Sequence, residues 1–191
     1  MPGRALAGWP AARFHHRAQR RSLLRRRPLA PHRLTSAQRA GLLPAFIDIP
    51  LGFDAVAAQR ADVQFDRLLL VRPPSVQDAL SLAYDLLCEG SCELIVIDAD
   101  DVTLPDQAQR LLRNAIVRSP SALVFLTSPE TPVPGADLRL SVVRTGWDMA
   151  GGDCYAIRTR VTVESGRGLP VGRSVDLRFV IDEMAPYWPA S

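Results

Sequence analysis

The sequence of 191 residues contains no lysine, only three cysteines and no long apolar run. Its apolar stretches, such as residues 68–71 and 94–97, fall far short of the roughly 18 residues that a transmembrane helix needs. Three cysteines cannot all pair with one another, and so few in a chain of this size are typical of a reducing compartment. We therefore expect a cytoplasmic protein with no membrane partner, and a disulfide scaffold is excluded.

Acidic residues are absent from residues 1–47, which hold ten arginines and all three histidines. Residues 48–191 carry 13 arginines and all 20 acids, a net charge of −7. The overall charge of +3 therefore conceals a basic first quarter and a mildly acidic remainder, and it does not make the whole protein a nucleic-acid binder. With 47% hydrophobic and 23% charged residues, the chain as a whole has the balance of one globular domain.

The first 34 residues are predicted to form a basic Arg/Pro-rich arm without a stable element, followed by a core at residues 35–184 and a tail at residues 185–191. Apolar residues of the arm follow neither the helical nor the strand period. The arm is either inert, or outside the natural reading frame, or a targeting sequence, or a nucleic-acid-binding segment. In the last case, the residues expected to contact phosphates are Arg20, Arg21, Arg25, Arg26 and Arg27.

From residue 35 onward, predicted helices alternate with short apolar strands, which indicates a doubly wound α/β fold. The predicted strands cover residues 45–49, 67–72, 93–98 and 122–127. The predicted helices are a short one capped by Thr35 or Ser36 and ending at Arg39, then residues 53–60, a helix between a Ser75 cap and Gly90, and residues 106–117.

The last third changes from helices to strands separated by glycine-rich turns at Gly146, Gly151-Gly152, Gly166 and Gly168. Residues 138–144, 156–164 and 175–181 alternate in polarity or are rich in β-branched side chains. We expect them to extend the mostly parallel sheet with antiparallel strands.

Several short segments resemble, in order and nearly in spacing, the ATPase core of the RecA recombinases. The resemblance covers about residues 36–184. The segments that carry it are Phe46-Ile47-Asp48, Leu51-Gly52-Phe53-Asp54 and residues 68–73, 95–98 and 123–126, followed by residues 136–140 and 159–163.

The resemblance implies a nucleotide site. It places Asp98 where the family has the Walker B aspartate that supports Mg²⁺ on ATP, although a strand-terminal aspartate in a turn fits the sequence equally well. It places Asp54 near the adenine, but the stacking aromatic residue is replaced by Ala57. Arg167 matches a cation presented to the nucleotide of a neighbouring subunit, or is a solvated turn residue.

Other family features are missing. The catalytic glutamate corresponds to Pro50, which cannot act as a base. The phosphate loop is expected near residues 20–28, which contain neither the glycines that wrap phosphates nor a lysine. The arm also holds no good candidate for the strand that precedes this loop. Residues 127–128 replace the amide that senses the γ-phosphate, and residues 128–136 are acidic and proline-rich where the family binds DNA.

These features predict a RecA-like DNA repair or recombination protein that hydrolyses ATP weakly or not at all. It would act through RecA-type or translesion polymerase partners, as in the RecA-like ImuA group, with single-stranded DNA as a further ligand and Mg-ATP as the cofactor if any binds. One alternative is an active DNA-dependent ATPase of this family whose natural start, with the phosphate loop, is missing here. Another is a nucleic-acid-binding protein that acts through the basic arm.

Two further groups of residues are candidates for binding a metal ion or a nucleic-acid base. Cys88 and Cys92 lack partners for a zinc site and are expected to be buried free thiols. The aromatic residues Trp147, Tyr155, Tyr187 and Trp188 are candidates for base stacking, or simply close the end of the sheet.

Overall fold

The computed structural model describes residues 14–18, 29–100, 102–128, 131, 133–150 and 153–180. Within these residues, the α-helices are α1 (Leu29–Arg39), α2 (Ala55–Arg60), α3 (Val76–Glu89) and α4 (Asp106–Arg118). The strands in the same ranges are β1 (Phe14–Ala18), β2 (Pro44–Asp48), β3 (Leu69–Val71), β4 (Leu94–Asp98), β5 (Ala122–Thr127), β6 (Leu138–Ala150), β7 (Asp153–Gly166) and β8 (Ser174–Val180).

All eight strands form one sheet in the order β3-β2-β4-β5-β1-β6-β7-β8. The strands from β3 to β6 run parallel, whereas β7 and β8 are antiparallel to their neighbours. Helices α3 and α4 pack on one face and α1 and α2 on the other. The predicted doubly wound α/β fold with an antiparallel extension is confirmed.

Strands β2, β4 and β5 contribute alternate side chains to two separate cores. Ile47, Ile97 and Phe125 pack beneath α3 and α4, while Phe46 and Val96 pack beneath α1. Burial on both faces explains why these strands are continuously apolar in the sequence. The third, smaller cluster lies under the antiparallel extension.

Strand β1 lies where the sequence predicts no element. It pairs in parallel with β5 on one side and β6 on the other, so it is a central strand of the sheet. The prediction that the arm holds no candidate for this strand is wrong. Its sequence, Phe-His-His-Arg-Ala, has no β-branched residue, and we attribute its strand conformation to pairing on both sides rather than to local propensity.

Helix α1 begins six residues before the predicted cap at Thr35, and the two expected cap hydroxyls make other hydrogen bonds. Thr35 is buried and its Oγ1 donates to the carbonyl of Ala61. Ser36 Oγ donates to the carbonyl of His32, one turn earlier in the same helix, at 2.7 Å. Both are mid-helix positions, so the predicted start is wrong, while Gly41, with φ of 82°, does follow the helix end.

The structure confirms the predicted limits of helix α3. Ser75 Oγ accepts a hydrogen bond from the Asp78 N–H at 3.1 Å, and Gly90 ends the helix in the left-handed conformation with φ of 66°. Strand β3 is shorter than predicted, because Phe65–Arg67 forms a 3₁₀ turn. Gly146 is not in a turn but inside β6, next to a register shift where its backbone approaches the Arg158 guanidinium.

The antiparallel extension contacts the helical layer through α1. The His32 ring stacks on Phe179 of β8 with ring centroids 5.2 Å apart. Partial burial, followed by the charges of Arg33 and Arg39, lowers the pKa of His32 below its ordinary 6.5. Within the described residues, no helix is long and apolar enough to cross a membrane.

Candidate functional site

Two aspartates end neighbouring strands at the carboxyl edge of the parallel sheet. Asp48 is the last residue of β2 and Asp98 the last of β4, and the two are direct partners in the strand register. Both are essentially inaccessible to solvent, at 0% and 1% exposure. In open α/β sheets this edge is where ligands bind.

Asp48 holds the turn that follows β2. Its two carboxylate oxygens accept hydrogen bonds from the N–H groups of Gly52, at 2.8 Å, and Phe53, at 3.0 Å. Arg72 Nε, just after β3, donates to Oδ2 at 3.2 Å. The turn contains Leu51 at a φ of 55°, a left-handed conformation that side chains other than glycine rarely adopt. These three donors compensate the burial of the Asp48 charge.

Sequence reasoning missed Asp48 as a site residue. The signal was present, because residues 45–48 and 95–98 are both apolar strands that end in aspartate. What the sequence does not show is that Arg72, 24 positions later, pairs with the first of these aspartates.

Asp98 lies at the expected position, at the carboxyl end of a strand buried on both faces. Its Oδ1 accepts a hydrogen bond from the Asp100 N–H at 3.3 Å. This is the interaction expected of an aspartate that ends a strand and begins a turn. Its backbone carbonyl accepts from Ile49 N–H at 3.4 Å, so it also contacts the turn after β2. Asp98 is therefore the residue whose position fits a Mg²⁺ ligand, though no group of three metal-ligating side chains occurs in the described part of the chain.

Asp54 is committed to helix capping. Its Oδ1 accepts a hydrogen bond from the Ala57 N–H at 2.9 Å, which makes Asp54 the N-cap of α2. The residue as a whole is exposed. A purine contact at this position would have no aromatic support from Ala57, a small half-buried side chain.

Pro50 occupies the turn between Asp48 and Gly52, where the resemblance expects a glutamate. Farther along the same edge, Thr127 and Ser128 are buried at the end of β5. The Ser128 and Thr131 hydroxyls lie 2.8 Å apart and form a hydrogen bond within this loop. Neither side chain is an amide of the kind that the resemblance expects at that place.

Arg167 lies far from the two aspartates within one chain. It follows β7, which is four strands away from β4 in the sheet, or roughly 19 Å at the usual strand spacing. Its side chain is 91% exposed and its Nε is 3.5 Å from Asp137. The structure thus brings Asp98 and Asp54 to the same end of the sheet and leaves Arg167 elsewhere.

Two other sequence expectations have different outcomes. The arm residues Arg20, Arg21 and Arg25–Arg27 lie outside the described residues, so their role stays a prediction. Of the two neighbouring thiols, Cys92 is buried and burial raises its pKa, but Cys88 is exposed, so the expectation of burial is wrong for Cys88.

Comparison with known proteins agrees with this architecture. Residues 25–110 match the family model of the RecA N-terminal domain. The chain is 30% identical to the RecA protein of Leifsonia xyli subsp. xyli over an alignment of 179 positions that covers 74% of this chain and 50% of that protein. It is 26% identical to the RecA protein of Chloroherpeton thalassium over an alignment of 192 positions that covers 81% of this chain and 54% of that protein. The chain thus spans about half the length of the curated relatives it matches.

Proposed function

Since the chain carries a RecA-like recombinase core, we propose that it acts in DNA recombination or repair by binding protein partners, without efficient ATP hydrolysis of its own. The proposal rests mainly on the turn after β2. Pro50 has no group that accepts a proton from water, and Asp48, the nearest buried carboxylate in sequence, already accepts three hydrogen bonds. Neither residue replaces the glutamate that the family resemblance expects.

The connection from β1 to α1 supports the same conclusion. Residues 19–28 join a central strand to a helix, which is the order of elements in which phosphate loops occur. These ten residues contain no glycine and no lysine. Clustered guanidinium groups attract phosphate, but they do not supply the converging backbone N–H groups that hold it. Asp98 fits Mg²⁺ on a nucleotide, but Asp98 alone does not make a hydrolytic site.

Calorimetry with Mg-ATP on the whole chain tests the nucleotide part of the proposal. We expect no binding tighter than about 1 mM, and no ATPase activity above background with or without single-stranded DNA. Pro50→Glu should give no gain, because the phosphate loop would still be missing. A micromolar Kd that Asp98→Asn abolishes and the exposed control Asp85→Asn preserves would instead establish a working nucleotide site.

Binding to partners is tested by co-sedimentation with filaments of the RecA recombinase of the same organism, and with its translesion polymerase. We expect binding to at least one of them in the absence of nucleotide. Arg167→Glu should weaken that binding about fivefold or more, because a cation that is 91% exposed beside Asp137 is replaced by an anion, whereas Arg173→Glu in the same β7–β8 connection serves as the matched control. Absence of binding to both proteins would overturn the partner proposal.

A further inference from the structure

An exposed apolar seam runs between α3 and α4 on the outer surface of the protein. Tyr84 and Cys88 border it on α3, and Leu111 and Val117 border it on α4. Tyr84, Leu111 and Val117 are 40%, 49% and 69% exposed. Buried Leu87 and Ala115 lie at the bottom of the groove between the helices. The seam therefore offers an aromatic and two aliphatic side chains around a shallow concave surface, as interface centres do.

The two helices that border the seam carry opposite charges. Every charged residue of α3 is acidic, namely Asp78, Asp85 and Glu89. Helix α4 carries three arginines, Arg110, Arg113 and Arg118, and one acid in its first turn. Asp85, Glu89, Arg110 and Arg118 are exposed, and none of them takes part in an ion pair within the described residues.

We propose that this α3–α4 face binds the same face of a second copy of the chain, forming a two-fold symmetric dimer. A two-fold axis parallel to the seam places the acidic α3 of one copy against the basic α4 of the other. It does so twice, as an isologous interface requires. An axis across the seam would set α3 against α3 and α4 against α4, which like charges oppose.

The charge pattern favours a second copy over other occupants. A nucleic acid or an anionic membrane requires a surface of one sign, but α3 would repel either one. The apolar seam between α3 and α4 is the surface that two identical copies would bury against each other. The proposal does not depend on the nucleotide chemistry or on the partner proteins discussed above.

Charge reversal on each helix tests the proposal with a built-in control for folding. Sedimentation equilibrium of the unaltered chain should give twice the 20.9 kDa monomer mass. Asp85→Arg with Glu89→Arg, or Arg110→Glu with Arg118→Glu, should weaken the dimer about tenfold or more, because like charges then face each other. All four substitutions in one chain restore opposite charges and should restore the dimer. High salt should weaken it, because these charges are exposed.

Cys88 gives an independent measurement of the same geometry. The proposed axis brings the two Cys88 thiols across the seam from each other, so a short bismaleimide should join two chains through Cys88. Cys154→Ser should leave this crosslink intact and Cys88→Ser should abolish it. A chain that stays monomeric at about 100 μM, which would mean association weaker than about 5 kcal/mol, overturns the proposal. So does a dimer that neither single-helix reversal affects.

Discussion

Asp48→Ala is expected to reduce the free energy of unfolding by about 3 to 5 kcal/mol, because it removes two backbone hydrogen bonds to a buried charged acceptor, each worth roughly 1.5 to 3 kcal/mol. The substitution leaves the N–H groups of Gly52 and Phe53 without their acceptor, and removes the partner of Arg72. It also releases the turn that holds Leu51 at positive φ, so relaxation of that turn is expected to recover a part of the loss.

Urea unfolding, followed by circular dichroism, measures this effect. Asp66→Ala, at an exposed position of the 3₁₀ turn before β3, is the matched control and should change stability by less than about 0.5 kcal/mol. Asp48→Asn should fall between the two, because the amide oxygen can still accept while its NH₂ group faces donors. If Asp48→Ala were as mild as the control, Asp48 would not be what holds the turn.

Gln38→Ala should be the second most destabilising change, at about 3 kcal/mol. Gln38 is 4% exposed, and its side-chain amide nitrogen donates to the carbonyls of Gln64, at 2.7 Å, and Arg67, at 3.0 Å. Its amide oxygen accepts from the Gln64 N–H at 2.9 Å. One side chain of α1 thus satisfies three backbone groups around the 3₁₀ turn, and each loses its partner upon truncation at roughly 1 kcal/mol.

Thermal unfolding detects this loss as a decrease in Tm of roughly 6 to 12 °C for a chain of this size. Gln77→Ala, an exposed glutamine in the first turn of α3, should leave Tm nearly unchanged. Hydrogen exchange should also accelerate at the Gln64 amide in Gln38→Ala. A decrease in Tm without that local acceleration would mean that Gln38 stabilises the protein by packing rather than by these hydrogen bonds.

The parts of the fold that depend on local pattern could be predicted from the sequence. Buried strands such as β4 are continuous apolar runs, and α3 has a periodic apolar face with Ser75 and Gly90 at its ends. The predictions that were wrong concern residues whose contacts are distant in sequence. Strand β1 becomes a strand between two others, and Thr35 caps no helix because it bonds to Ala61, 26 residues away.

The same distinction between local patterns and distant partners applies to the residues of the candidate site. Asp98 could be placed because a strand that ends in an acid is visible in the sequence, and the structure confirms its position at the carboxyl edge. The cap formed by Asp54 is also a local interaction, whereas the family resemblance places this residue near the adenine. The pairing of Asp48 with Arg72 needed coordinates, since β2 and β3 are neighbours only through the sheet.

The position of β1 has a consequence for how the chain acquires its structure during synthesis. Its residues are made well before its partners β5 and β6, which begin only at Ala122 and Leu138. At the usual rate of about 5 to 20 residues per second, the ribosome needs roughly 6 to 25 seconds to make the intervening chain. During that interval, β1 has neither of the two strands with which it pairs. Deleting residues 1–34 would remove this late-joining strand together with the arginines, and β5 and β6 would then have no strand between them.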